Sequence, residues 1–203
     1  MNRFVKGMVV IIMLSTFLTG CTQNTALTDQ MASLKSQPQL LSLLPNAVAV
    51  LELLEAKDFE GLSTYIDDTK GVRFSPYSYI DIANDKVFTK AQIASIAQDS
   101  EKYTWGSYDG SGFPITLDFN DYYHKFVYDK AFITPDQIGY KKSFSQGNSI
   151  DNLSEVYPEA NFVEFYSSGV DPSGLDWASL KLVFENVQGN WVLVGIVHAQ
   201  WTI

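Results

Sequence analysis

The C-terminal segment constrains the fold most, because it has the pattern of a long β-hairpin. Two apolar runs, SLKLVFEN and WVLVGIVHAQWTI, flank Gln188-Gly189, and a glycine-containing pair between such runs favours a tight turn. This turn predicts the cross-strand pairs Phe184 with Leu193, Leu182 with Gly195, and Leu180 with Val197. We expect these six residues on one core face. On the other face, we expect His198 and Gln200 to begin the solvent-exposed part.

Helical patterns precede the strand patterns along the chain. Pro45 opens a pattern of apolar residues at one-face spacing, and Asp58 and Thr89 are N-cap residues for two further helices. From Tyr103 onward, two extended arms surround the Asp-Gly-Ser-Gly turn at 109–112, and NDYYHKFVY adds a helical turn. Helices followed by antiparallel strands predict an α+β fold, with the helices packed on a curved, mainly antiparallel sheet.

The order of these elements over residues 46–203 resembles the nuclear transport factor 2-like superfamily, which includes ketosteroid isomerases and polyketide cyclases. The resemblance implies a cone-like sheet under N-terminal helices, and a cystatin-like sheet on helices is the alternative. The phrases WGSYDGSGFPI, SLKLVFEN and WVLVGIVHAQWTI also resemble an uncharacterised family of bacterial lipoproteins. The stretch from Tyr128 to Asn161 exceeds what this order needs, so we expect an insertion or an extra strand there.

The N-terminus has the pattern of an export signal. Arg3 and Lys6 precede the uncharged run MVVIIMLSTF, which is too short for a typical membrane span of about 20 residues. The run ends in Leu18-Thr19-Gly20-Cys21, which resembles the lipobox of bacterial lipoproteins. The resemblance implies that the signal, residues 1–20, is cleaved before Cys21, whose sulfur receives a diacylglycerol and whose new amine is acylated. Two or three acyl chains hold a protein firmly at a membrane.

The remaining chain divides into a tether and one domain. Residues 21–44 are interpreted as the lipidated N-terminus and a polar tether, and residues 45–203 as a single α+β domain. Cys21 is the only cysteine, so no disulfide and no cysteine nucleophile is expected in the domain. The 46% hydrophobic content is sufficient for a core without a structural metal.

Net charge limits the partners. Lysine and arginine total 14 against 23 aspartates and glutamates, which gives a formal charge of −9 and argues against nucleic-acid binding. We expect contact with the membrane through the lipid anchor, and an envelope protein or a small molecule as a further partner. The localisation expected is the cell envelope, on the exported side. Thr22 after the lipidated cysteine is compatible with the outer membrane if the source is Gram-negative.

The sequence contains no recognisable cofactor or metal motif. His124 and His198 have no second histidine at ligand spacing, and the Asp-Gly-Ser-Gly turn lacks the acidic ladder of a calcium loop. No serine lies in a Gly-x-Ser-x-Gly elbow, and no glycine-rich phosphate motif is present. We therefore expect neither a metal nor a cofactor.

Two kinds of site stay open. Enzymes of the superfamily that the chain resembles place an Asp, His or Tyr inside the cone, which makes His198, Asp176, Asp118 and Tyr108 the catalytic candidates here. Acid–base chemistry of the isomerase or cyclase type would need one of these groups buried. Fold analogy alone carries no site, so a solvent-facing His198 is the favoured interpretation.

Tryptophans near turns and strand ends indicate a binding surface instead. Trp105, Trp177 and Trp201 are the ligand-binding candidates, although aromatic residues also fill ordinary cores. The leading interpretation is a lipid-anchored envelope protein that binds a ligand or a protein without catalysis; the enzyme is the alternative. A sealed ionisable group inside the fold favours the enzyme, and a filled apolar interior favours binding.

Overall fold

The structure, a computed structural model, describes residues 38–144 and 149–202. The predicted signal over residues 1–20, Cys21 and the tether up to residue 37 lie outside the described residues. Lipidation, cleavage and anchoring therefore stay predictions.

The helices of the described chain lie mainly before and between the first strands. They are α1 (Pro38–Ala56), α2 (Phe59–Ser63), α3 (Lys90–Ser95), α4 (Phe119–Phe126) and α5 (Leu153–Val156), with a 3-10 turn at Ile96–Gln98. The strands are β1 (Val72–Ser75), β2 (Lys86–Phe88), β3 (Tyr103–Ser107), β4 (Pro114–Leu117), β5 (Gln137–Tyr140), β6 (Asn161–Ser167), β7 (Ala178–Val187) and β8 (Asn190–Gln200).

Six of these strands form one sheet in the order β2-β1-β8-β7-β6-β5, and β3 and β4 form a separate hairpin. All neighbours in the large sheet are antiparallel except β1 and β8, which are parallel. The predicted α+β class with a mainly antiparallel sheet is confirmed. The extra strand expected between Tyr128 and Asn161 is β5, which pairs with β6 at the sheet edge.

The predicted helix starts after Asp58 and Thr89 are confirmed. The Asp58 carboxylate accepts a hydrogen bond from the Gly61 backbone N–H at 2.8 Å and caps α2. Thr89 and Gln92 form a reciprocal capping box at the start of α3. Each cap satisfies backbone N–H groups that the first helical turn leaves without an intrahelical partner.

Helix α1 begins at Pro38, earlier than the start that we predicted at Pro45. Residues 38–44, which we assigned to the tether, are helical, and Leu43 is fully buried in the main core. By length and composition α1 could cross a membrane, but its apolar residues Leu43, Val50 and Leu54 are buried against the rest of the domain. Burial of this face stabilises the extra turns although Pro45 lies inside the helix.

The predicted register of the C-terminal hairpin is correct near the turn and wrong beyond it. Phe184 pairs with Leu193 as expected, but Leu182 pairs with Ile196 and Leu180 with His198. A β-bulge after Leu193 adds one residue to β8, and one extra residue moves every later side chain to the opposite face. Val197 therefore leaves the core face, and His198 enters it.

Each face of the large sheet has its own apolar cluster. The main cluster packs Leu182, Phe184 and Leu193 with residues of α1 and α2, including Leu51, Leu54, Phe59 and Leu62. A smaller cluster on the other face contains Val183, Val194 and Val197 with Ile80 and Leu153. The hairpin is thus covered on both sides rather than on one.

Candidate functional site

A cavity of about 520 Å³ lies between the β1–β2 connection and the β3–β4 turn. We call it the tyrosine–aspartate pocket, because tyrosines and aspartates supply six of its lining side chains. Its size falls in the range of small-molecule sites, about 300–1,000 Å³. These tyrosine and aspartate residues are Tyr77, Tyr79, Tyr108, Asp81, Asp85 and Asp109.

Asp85 lies just before β2 and is 8% exposed. Its Oδ2 accepts hydrogen bonds from the Ser75 hydroxyl at 2.5 Å and from the Asp81 backbone N–H at 3.0 Å. Burial nevertheless raises the pKa of Asp85 to about 6, because these bonds and the charge of Arg73 only partly replace lost hydration. Asp85 therefore changes charge near neutral pH.

Asp109 holds the β3–β4 turn to the C-terminus of the chain. A hydrogen bond with Thr202 is the largest cause that lowers the pKa of Asp109, and bonds from the Gly110 backbone and the Ser149 hydroxyl lower it further. The Asp109 carboxylate is thus ionised at neutral pH, and it lines the pocket. Gly110 and Gly112 adopt positive φ angles of 75° and 69°, which the tight turn requires.

Three tyrosine rings contribute aromatic surface to the pocket. Tyr79 is 53% exposed. Tyr77 is partly buried, and the centre of its ring lies 5.6 Å from the centre of the Phe126 ring in an edge-to-face arrangement. Burial raises the pKa of Tyr77, so its hydroxyl stays protonated at neutral pH. The Lys125 ammonium donates to the Tyr108 hydroxyl at 3.0 Å and lies 4.5 Å from the centre of its ring.

The core behind the pocket is filled with aromatic side chains. Trp105 stacks on Tyr122 with ring centres 3.7 Å apart, and both are fully buried. The Tyr122 hydroxyl has no hydrogen-bond partner among the described residues, and burial raises its pKa well above the usual value, with smaller contributions from Asp85 and Tyr77. A buried hydroxyl without a partner is costly, so this position is a local weak point of the core.

His198 lies behind the pocket wall and not on a solvent face, which corrects our expectation. The side chain is fully buried; Nδ1 lies 3.3 Å from the Pro76 carbonyl oxygen and Nε2 lies 3.1 Å from Oδ1 of Asp129. The buried imidazole thus lies between the Asp129 carboxylate and the Pro76 carbonyl, and it links the pocket residue Pro76 to β8.

Two catalytic candidates lie outside this pocket's lining and have structural roles. Asp118 caps α4 by accepting a hydrogen bond from the Asp121 backbone N–H at 2.9 Å. Asp176 accepts bonds from the Val170 and Asp171 backbone N–H groups and organises the loop before β7. Tyr108 is the catalytic candidate that lines the pocket directly.

The three tryptophans are dispersed. Trp105 belongs to the main core and donates its indole N–H to the Leu117 carbonyl at 2.9 Å. Trp177 is mostly buried and lines a smaller cavity of about 190 Å³, which shares Tyr77 and Ser149 with the tyrosine–aspartate pocket. Trp201 packs at the edge of the same cluster as Trp177. Of the three candidates, Trp177 thus lines a cavity that adjoins the tyrosine–aspartate pocket through shared residues.

Sequence reasoning missed Asp85, Tyr77 and Asp129 as site residues. The run YSYIDIAND at 77–85 is dense in tyrosine and aspartate, which was the available signal for the first two. Asp129 becomes visible only through its distance to His198. Among residues 38–144 and 149–202, no group of three or more His, Cys, Asp or Glu side chains could hold a metal ion.

Comparisons with known proteins give fold neighbours only. No family model and no curated protein matches the chain. An NTF2-like protein with a cystatin-like fold from Novosphingobium aromaticivorans is 11% identical, with 89% of this chain and 92% of that chain covered and a TM-score of 0.35. This neighbour carries both fold names that we weighed as alternatives.

Two further solved structures match at similar levels. A putative calcium/calmodulin dependent protein kinase II association domain from Xanthomonas campestris is 9% identical over 79% of this chain and 84% of that one, with a TM-score of 0.32. The association domain of C. elegans CaMKII is 14% identical over 82% and 97%, with a TM-score of 0.31. These TM-scores are too low to transfer a residue or a function.

Proposed function

We propose that this protein is a lipid-anchored component of the cell envelope that binds a small molecule in the tyrosine–aspartate pocket without transforming it. The observation that carries the binding role is the open cavity of about 520 Å³ beside a core already filled by aromatic side chains. Binding would use space at the edge of the fold, beside this aromatic core.

The anchoring part of the proposal rests on the lipobox-like sequence at Leu18–Cys21. Two or three acyl chains on Cys21 would hold the acidic domain on the exported side of a membrane, the outer one in a Gram-negative cell. Replacement Cys21→Ser should abolish the lipid mass and leave a longer precursor. Intact-mass spectrometry of membrane and soluble fractions tests this, and a mature N-terminus elsewhere without lipid contradicts it.

The binding part is tested by blocking the cavity. Ser107 is an exposed lining residue on β3, and Thr104 is an exposed residue of the same strand outside the lining. We expect Ser107→Trp to abolish binding of compounds found by ligand-observed NMR against the full chain, and Thr104→Trp to leave it unchanged. If no compound binds, or if every bound compound tolerates Ser107→Trp, the pocket is not a binding site.

An acid–base enzyme is the second candidate, and one observation favours it. Asp85 lines the pocket with a pKa raised to about 6, which suits a proton acceptor near neutral pH. The candidates His198, Asp118 and Asp176 lie outside the pocket lining. Turnover of a bound compound that disappears in Asp85→Asn, while the compound still binds, would establish the enzyme.

A further inference from the structure

We propose that the ligand of the tyrosine–aspartate pocket is an organic ammonium ion, an inference that rests on the binding function proposed above. Charge, aromatic surface and one free acceptor atom in the described lining all match such a ligand.

Charge is the first match. The lining contains three aspartates, and its described residues include no lysine, arginine or histidine. The whole chain also has a formal charge of −9, so its field attracts cations. Lys125 lies beside Tyr108 but outside the lining. The carboxylates of this pocket would repel an anionic ligand.

Aromatic surface is the second match. Tyr77, Tyr79 and Tyr108 all line the cavity, and the negative face of an aromatic ring attracts an ammonium group. The position of the Lys125 ammonium, 4.5 Å from the centre of the Tyr108 ring, is an example of this contact at the edge of the site. An ammonium ligand would thus contact a tyrosine ring in the same way as the Lys125 ammonium contacts Tyr108.

The third match is the free oxygen of Asp85. Its Oδ2 accepts both the Ser75 and the Asp81 hydrogen bonds, whereas Oδ1 lies toward Gly106, another lining residue. A Cβ placed on Gly106 would lie 3.9 Å from this oxygen. Gly106 has a φ of 117°, so a side chain at this position is disfavoured by the backbone as well. The glycine leaves the oxygen accessible from the cavity.

The ionisation of Asp85 is coupled to such a ligand. Burial raises the pKa of Asp85, and a cation beside the carboxylate favours its charged form. An ammonium ligand would therefore supply the compensation that the described protein groups supply only in part.

The test compares a cation with its neutral isostere. Choline and 3,3-dimethyl-1-butanol have the same shape, and ligand-observed NMR measures the binding of each to the full chain. We expect choline to bind about tenfold more tightly. Asp85→Asn should remove most of this preference, whereas Asp68→Asn, which neutralises an exposed acid outside the lining, should not.

Tyr79 provides a second, matched pair of variants. Because its side chain is half-exposed, replacements there should fold normally. Tyr79→Phe keeps the ring and should bind choline like the wild type, whereas Tyr79→Leu should bind several-fold more weakly. If the two replacements change the affinity for choline equally, the aromatic ring of Tyr79 does not contribute to binding.

The outcomes separate the two proposals. Equal binding of choline and its isostere, or binding only of neutral compounds in a manner sensitive to Ser107→Trp, overturns the ammonium ligand and leaves the binding function standing. Failure of every compound to respond to Ser107→Trp overturns both.

Discussion

Burial in the folded chain disfavours the ionised form of the Asp85 carboxyl group. Its pKa in the folded chain is about 6, above the ordinary value of 3.8, because burial removes hydration. Between these two values the folded state binds more protons than the unfolded state. The free energy of unfolding therefore falls as the pH rises from about 4 to about 6, and the cost persists above pH 6.

Replacement Asp85→Asn should remove this pH dependence. The amide oxygen can still accept the Ser75 and Asp81 hydrogen bonds, and no charge is buried. We expect the variant to gain up to about 3 kcal/mol over the wild type at pH 7.5, and the gain to shrink toward pH 4. Urea unfolding at both pH values measures the difference. A gain that is the same at both would contradict the raised pKa.

The His198 side chain lies in the interior, although the sequence pattern placed it on a solvent face. Its side chain is fully buried between Pro76 and Asp129. His198→Ala should cost roughly 2–4 kcal/mol, because it leaves a cavity and deprives the Asp129 carboxylate of its partner. His124→Ala, at the exposed histidine of α4, should change stability by less than about 0.5 kcal/mol. Similar thermal unfolding of the two variants would argue against a stabilising contact between His198 and Asp129.

At the scale of elements, the β7–β8 hairpin contributes side chains to the apolar clusters on both faces of the sheet. Phe184 is fully buried and lies on the correctly predicted side of the bulge, opposite Leu193. We expect Phe184→Ala to lower the free energy of unfolding by about 3–5 kcal/mol. The control is Phe113→Ala, since Phe113 is 71% exposed and contributes little to the core. A loss below about 1 kcal/mol in Phe184→Ala would be inconsistent with this packing.

The bulge itself explains why the far half of β8 differs from the pattern of its sequence. Gly195 lies opposite Val183, where an added Cβ would meet the Val183 Cβ at 3.3 Å, so a larger residue would crowd the pair. The same residue pairs with Arg73 of β1. Glycine therefore lets β8 change its side-chain register where two neighbouring strands approach it.

At the scale of the whole molecule, the folded domain includes α1 from Gln39 onward, and Leu40 is the first buried residue of this helix. A chain that begins at Pro38 should fold without detergent, whereas a chain that begins at Pro45 loses Leu40 and Leu43 from the core. We expect the shorter chain to be less stable by at least about 3 kcal/mol. Urea unfolding of the two chains measures the difference in the free energy of unfolding. Equal midpoints and slopes would show that residues 38–44 do not stabilise the core.

Local patterns in the sequence determined the class of the fold. The caps at Asp58 and Thr89, the Asp-Gly turn and the alternating C-terminal runs each depend on neighbours within a few residues, so they predict their elements without knowledge of the rest. Tyr108, a candidate from the superfamily resemblance, lines the pocket.

The tertiary structure decided which face each side chain in the far half of β8 occupies, and which residues line the pocket. An extra residue in β8 is invisible to strand periodicity, yet it brings His198 to the face predicted for Val197 and moves Val197 into the apolar cluster on the opposite face. The pocket joins the β1–β2 connection, the β3–β4 turn and Ser149, which are distant in the chain. The pKa of Asp85 is raised mainly by burial, and burial is a property of the packed molecule rather than of any local pattern.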